Sequence, residues 1–289
     1  TMASQMSEAD ETVSSLYSVK SEQATMLSFD TYNYLVHYFG QPQGSMSDDP
    51  NGTLGGDYEF IISSASAERI ELKGKKYGNR IVMKALTEDQ TWKQYLTKIK
   101  KVEDDAFFYE YDLLMDGLYT GQMLRSNYTF IVTYYDEIGK VHQKTVPFMF
   151  TADGLRFHEP VTIDGQTMQN FVWKNELISF VCTDEGATGV KLAGVYTAGY
   201  QSYDYYPGTY QMDFYRLNDE TGQLEVASQE VRLLKNEDGK SYWLKGLEYD
   251  ILVMYDKPRG GLSVSPQLLE KVQGLSGYVG RNERLCAPW

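Results

Sequence analysis

The chain has 289 residues and carries 27 Lys+Arg against 40 Asp+Glu, a formal charge of −13, with 42% hydrophobic and 23% charged residues. That balance is close to the globular average and can bury a core, which excludes wholesale disorder. The acidity argues against a general nucleic-acid binder, whose phosphate contacts need an excess of Lys and Arg, and no run approaches the ~18 apolar residues of a membrane-spanning helix.

The length favours two domains, although one large β-domain also fits. Thr1 to Met6 contain no basic region, apolar core or cleavage site of an export signal. Polar, strand-like text occupies Thr12 to Val19, and the chain stops at Cys286-Ala287-Pro288-Trp289. Both ends read as cuts through a longer polypeptide: either the protein is cytosolic or its export signal lies outside this chain.

Period-two alternation bounded by Gly, Asn and Asp dominates the rest of the chain. Tyr58 to Ile62, Arg69 to Lys73 and Arg80 to Met83 form a first antiparallel meander, with Gly78-Asn79 as a turn signal. Thr87-Glu88-Asp89-Gln90 fits a capping box, and Trp92, Tyr95, Leu96, Ile99 and Val102 then mark one face of a helix. Asp105 to Leu114 is expected to be a second helix or a loop. A second strand set covers Tyr128 to Tyr135, Val141 to Phe150, Leu155 to His158, Gln169 to Trp173 and Leu177 to Cys182. A third covers Tyr210 to Leu217, Leu224 to Leu234 and Tyr242 to Tyr255. Turns at Asn218 to Gly222 and Asn236 to Gly239 make its hairpins, and Pro266 to Val272 suggests a short last helix. The expected fold is mainly β: antiparallel meanders forming two or three barrel- or sandwich-like units, with one or two packed helices. A lipocalin-like barrel is one option for the first unit. The expected units are 1–105, a meander closed by its helix; 106–188, a second β unit; and 189–289, a third β unit with a Tyr-rich loop.

Charge is uneven. Glu68 to Lys101 holds ten Lys/Arg and four acids, a local net of 10 − 4 = +6, and Glu103 to Asp116 holds six acids and no base. Solvated faces of a hairpin and a helix account for both; a phosphate or anion site on the basic stretch is the alternative.

Several separated motifs resemble a family of Bacteroidetes lipoproteins of unknown function. They are Leu27 to Asn33, Leu35 to Phe39, Leu54 to Phe60, Ile70 to Lys75, Gly78 to Ile81, Trp92 to Leu96 and Pro147 to Thr151, with Gly154 to Phe157 and Pro160. The resemblance covers roughly residues 15–180. It implies a signal peptide and a lipidated cysteine, neither present in this chain, and so a lipid-anchored protein of the outer membrane, cell surface or periplasm. It also implies a setting beside SusC/SusD-type uptake systems, and it assigns no catalytic residues.

Patterns that carry chemistry are few. The three histidines, His37, His142 and His158, are scattered, and adjacent His158 and Glu159 would point to opposite faces of a strand. No nucleophile elbow or phosphate loop occurs. Cys182 lies in an apolar strand and reads as a buried thiol, with a bridge to Cys286 left open. Asp48-Asp49-Pro50-Asn51-Gly52-Thr53 lacks the donor pattern of a calcium loop and reads as a surface turn. No cofactor, metal or catalytic set is assigned. Tyrosine is the exception: of 24 in the chain, Tyr196, Tyr200, Tyr203, Tyr205, Tyr206 and Tyr210 fall within fifteen residues. A flat apolar ring with a hydroxyl suits sugar faces or a protein hot spot, although tyrosine is also a good strand former. Tyr200, Tyr203, Tyr205 and Tyr206 are the candidate ligand-binding residues, on a loop expected to present its rings outward, and Trp173, Trp243 and Trp289 read as core. The expected function is non-catalytic capture of a glycan or peptide. A carboxylate-based hydrolase and a structural partner of an outer-membrane transport complex are the alternatives.

Overall fold

A computed structural model describes residues 1–267 apart from Met6, Glu22, Gln23, 42–53, Glu88, Glu137 and Asp219. The Asp48 to Thr53 turn, Cys286, Trp289 and most of the Pro266 to Val272 segment fall outside the described residues. The chain divides into two compact units, Thr1–Ala106 with Val146–Val190, and Phe107–Thr145 with the residues from Lys191 onward.

Strands dominate, as the period-two text requires. β1 (Tyr17–Ser21), β2 (Thr25–Phe29), β3 (Glu59–Ala65), β4 (Arg69–Gly74) and β5 (Arg80–Lys84) form an antiparallel sheet in sequence order. A short helix, α1 (Tyr34–His37), sits between β2 and β3, with the Asn33 side chain accepting the Leu35 N–H as its cap. Met26, Phe60 and Leu72 are the sheet's buried apolar residues.

The main helix, α2 (Trp92–Asp105), carries the anticipated stripe: Leu96, Ile99 and Val102 are buried. Its start corrects the expectation. The sequence holds two consecutive Thr-x-x-Gln frames, Thr87 to Gln90 and Thr91 to Gln94, and the helix uses the second. Thr91 is extended (φ −81, ψ 150) and its hydroxyl accepts the Gln94 N–H, which completes the capping box. The Thr87 carbonyl instead accepts the Gln90 N–H at 3.0 Å, closing a separate turn. No helix among the described residues is long and apolar enough to cross a membrane.

The central element is a closed barrel built from β6 (Glu110–Met115), β7 (Leu118–Ser126), β8 (Thr129–Tyr135), β9 (Val141–Phe150), β10 (Gly154–Ile163), β11 (Gln166–Lys174), β12 (Ser179–Cys182) and β13 (Val190–Val195). Its order is β10-β11-β12-β13-β6-β7-β8-β9. Closure therefore belongs to the second strand set, and the first set is an open sheet. Eight strands leave an interior that side chains can fill, and Tyr111, Phe130, Phe148, Phe157, Phe171 and Phe180 are all fully buried. A strand, β6, replaces the helix or loop expected over Asp105 to Leu114. Its apolar members Tyr111, Leu113 and Met115 alternate with the acids Glu110 and Asp112, and only a strand buries the first set while wetting the second.

A third sheet runs β14 (Gly208–Leu217), β15 (Leu224–Lys235), β16 (Ser241–Lys245), β17 (Ile251–Asp256) and β18 (Gly261–Ser263) in that order. The run Tyr242 to Tyr255, read as one strand, is two: the chain turns back at Gly246, whose φ of +110° few other residues would adopt. Leu233, Tyr242 and Val253 form the sheet's buried core. Trp173 is buried in the barrel, whereas Trp243 is partly exposed.

Candidate functional site

The tyrosine-rich loop leaves β13 at Tyr196 and enters β14 at Gly208. Two tight turns shape it: the Tyr200 N–H donates to the Thr197 carbonyl and the Tyr205 N–H to the Ser202 carbonyl, each at 3.0 Å. Gly199, at φ +75°, supplies the left-handed residue of the first.

Its rings separate into two sets. The inner set packs on the third sheet. Tyr203 stacks on Tyr242 at 4.6 Å and its hydroxyl lies 2.7 Å from the Ser241 carbonyl. The Tyr206 hydroxyl donates to the Gly260 carbonyl at 2.6 Å, and the Tyr255 hydroxyl donates to the Gln201 carbonyl at 2.8 Å. Burial pushes the phenols of Tyr203, Tyr206, Tyr242 and Tyr255 above the ordinary range, so all four stay neutral donors. Gly260 makes this docking feasible. A Cβ there would lie 2.6 Å from Tyr200 Cδ2 and from the Gln201 nitrogen, and its φ is +62°.

The outer set forms an aromatic platform. Tyr196 and Tyr200 pack at 4.5 Å, and Phe107 lies nearly parallel to Tyr200 at 6.0 Å and 15°. Beneath them Phe108 is buried and meets Tyr196 edge-on at 5.0 Å. Lys257 Nζ lies 5.0 Å from the centre of the Phe107 ring, within cation–π range. Tyr196 is 46% exposed, and Tyr205, edge-on to Tyr206, is 63% exposed. Asp204 beside it pairs with Lys235.

Of the four residues singled out by sequence, Tyr205 presents its ring to solvent and Tyr200 is half-buried within the platform. Tyr203 and Tyr206 turn inward, against the expectation of outward rings, because backbone carbonyls from β16 and the β17–β18 turn capture their hydroxyls. Sequence reasoning missed Phe107 and Lys257; the adjacent pair Phe107-Phe108 beside an acidic run was the available signal.

Other chemistry is sparse. No group of three or more His, Cys, Asp or Glu among the described residues is placed to hold a metal. His142 pairs with Asp136 at 2.8 Å and stacks on Tyr134, and His37 bonds within its own helix cap. On the outer face of β6, burial and then the neighbouring Glu110 raise the Asp112 carboxyl above its usual range. The Glu110 carboxylate accepts the Gln122 amide, and Tyr119, more than half exposed, lies near both Asp112 and Tyr135.

Fold and site define a mainly-β protein with a closed eight-stranded barrel, two open sheets and an aromatic surface loop. Residues 1–175 match the family described as a domain of unknown function (DUF4302), and the chain belongs to that family. Residues 183–279 match a second family, likewise described as a domain of unknown function (DUF4987). No curated protein and no solved structure matches the chain.

Proposed function

We propose that this is a non-catalytic lipoprotein of a Bacteroidetes cell surface, accessory to nutrient capture or uptake beside SusC/SusD-type transport components, and that it binds a glycan or peptide. The setting rests on the resemblance carried by roughly residues 15–180. The binding role rests on one observation, the platform of Phe107, Tyr196 and Tyr200. Preassembled rings, with Tyr196 tilted 48° to Tyr200, offer apolar ring surface at low entropic cost, with hydroxyls to orient a sugar or a peptide side chain. Tyr205 extends the accessible aromatic surface.

A glycan and peptide array probed with the wild type, Tyr196→Ala and Tyr205→Ala tests the reading. Loss of a ring acting as an anchor costs about 2 kcal/mol, roughly a thirtyfold weakening. Tyr215→Ala, which removes an exposed ring on β14, serves as the control and is expected to bind normally. An array without a specific hit, or hits indifferent to Tyr196 and Tyr205, refutes it.

One observation favours a second reading, a carboxylate hydrolase. Asp112 holds its proton more readily than an ordinary carboxyl next to an acidic neighbour, Glu110, which is the environment of a general acid. Hydrolysis of any polysaccharide substrate that is lost in both Asp112→Asn and Glu110→Gln would replace the binding reading; an inactive wild type removes the hydrolase.

A further inference from the structure

The first sheet ends on β5, beyond which no strand pairs among the described residues. All five residues, Arg80-Ile81-Val82-Met83-Lys84, are exposed, an uncommon state for three consecutive large apolar side chains on a sheet edge. Two bonds set the direction of the backbone groups. The Gly74 N–H donates to the Asn79 carbonyl at 2.8 Å and the Ala85 N–H to the Glu68 carbonyl at 3.0 Å. Bonded pairs recur at every second residue of an antiparallel ladder. With Ile70 opposite Met83 and Leu72 opposite Ile81, Ile81 and Met83 bond to β4. Arg80, Val82 and Lys84 therefore turn their N–H and C=O groups to the open edge.

The side chains divide the same way. Ile81 and Met83 share a face with Ile70 and Leu72, and Arg80, Val82 and Lys84 share the other with Arg69, Glu71 and Lys73. On that second face Arg69 stands opposite Lys84 and Lys73 opposite Arg80, like-charge pairs that cost stability. Glu71 pairs with Arg69 at 2.7 Å and Arg80 at 3.5 Å. Four cations against one acid leave a net of 4 − 1 = +3 on a protein whose total is −13. A second copy fits poorly, because two-fold pairing about Val82 would set Arg80 of one copy against Lys84 of the other. Arg80 and Lys84 alone would guard the edge; the two further cations on β4 exceed what guarding requires.

We infer that β5 is a docking edge for an extended segment of another protein whose side chains alternate acidic and apolar. It adds as a sixth strand, its backbone bonding to Arg80, Val82 and Lys84, its acids meeting the cationic face and its apolar residues covering Ile81 and Met83. This surface is independent of the tyrosine loop.

The test uses the full chain and a fluorescein-labelled peptide, Glu-Ile-Glu-Val-Glu-Ile-Glu, with Lys-Ile-Lys-Val-Lys-Ile-Lys as its counterpart, read by anisotropy. The acidic peptide is expected to bind saturably and to weaken with added salt, and the basic one not to bind. Val82→Pro removes one outward N–H and spares the bonds of Ile81 and Met83 to β4; it is expected to weaken binding about tenfold or more. Arg80→Glu/Lys84→Glu carries the test should the proline variant fail to fold, with at least a similar loss expected. Absence of saturable binding by about 1 mM protein overturns the inference. So does binding that a folded Val82→Pro variant or the charge-reversed variant leaves intact. A dimer in sedimentation velocity that Val82→Pro abolishes would assign the edge to a second copy, and also overturns it.

Discussion

The Tyr242 hydroxyl donates to the backbone carbonyl of Tyr203 at 2.7 Å while the two rings stack at 4.6 Å. In return the Tyr203 hydroxyl reaches the carbonyl of Ser241, the residue before Tyr242, also at 2.7 Å. Loop and strand β16 are thus tied in both directions, and Tyr242 is fully buried. Tyr242→Phe keeps the stack and removes one bond, which should cost about 1–2 kcal/mol. Tyr242→Ala also removes the ring and should cost about 3–5 kcal/mol. Urea denaturation measures both, and equal losses in the two variants would refute a role for the hydroxyl bond.

The features legible in the sequence are local ones. β3 to β5, β14 and β15 are alternating text between strong turn signals, and they form hairpins where expected. The β6–β7 turn was also legible: Asp116-Gly117 takes positive φ at both residues, +49° and +83°, the form a two-residue hairpin turn demands. The acid-rich text before it, Asp105 to Leu114, is compatible with a helix or a loop as well as with the strand β6 that forms. Barrel closure was not legible, because placing β13 beside β6 depends on pairing between segments remote in sequence. The candidate site shows the same limit. The density of tyrosines is local information, but which rings face water is decided by Ser241, Tyr255 and Gly260, supplied by the far end of the chain.

Gly74 is a position where any side chain meets an immovable neighbour. A Cβ there would lie 1.8 Å from Asp57 Oδ2. That carboxylate is buried and held by the N–H groups of Lys76 and Tyr77 and by the Asn79 amide, at 2.8, 3.1 and 3.1 Å. Gly74→Ala should therefore cost about 2–4 kcal/mol. At Gly261 an added Cβ meets nothing within 4 Å, and Gly261→Ala should stay within about 0.5 kcal/mol. Thermal melting of the two variants side by side decides it; similar midpoints would remove the steric account.

Asp184 ties the end of β12 to β11. Burial works to raise its carboxyl, but the Asn170 N–H and amide, the Gln169 N–H and the Cys182 thiol outweigh it and hold the group below its ordinary 3.8. The Asn170 bonds are 2.7 and 2.6 Å. A carboxyl lowered on folding lends stability that is fully present above its unfolded value and is lost as pH falls through its folded one. Asp184→Asn should therefore be less stable than the wild type at neutral pH, by about 1–3 kcal/mol. The gap should narrow as pH falls below the ordinary 3.8 and on through the lowered folded value. Urea titrations across that range measure the gap; a constant difference would exclude the linkage.

Cys182 is a buried thiol with no disulfide partner among the described residues. Burial is the main cause that pushes its pKa up to about 11, and the nearby Asp184 carboxylate adds to it. The thiolate is the reactive species, so at pH 8 about one molecule in a thousand would carry it, and access is blocked as well. In a Cys286→Ser variant, where Cys182 is the sole thiol, native protein should react with dithiobis(nitrobenzoate) at least about a hundredfold more slowly than protein in urea. Labelling the native state at the unfolded rate would mean that β12 opens readily and that the thiol's burial among barrel residues is not maintained in solution.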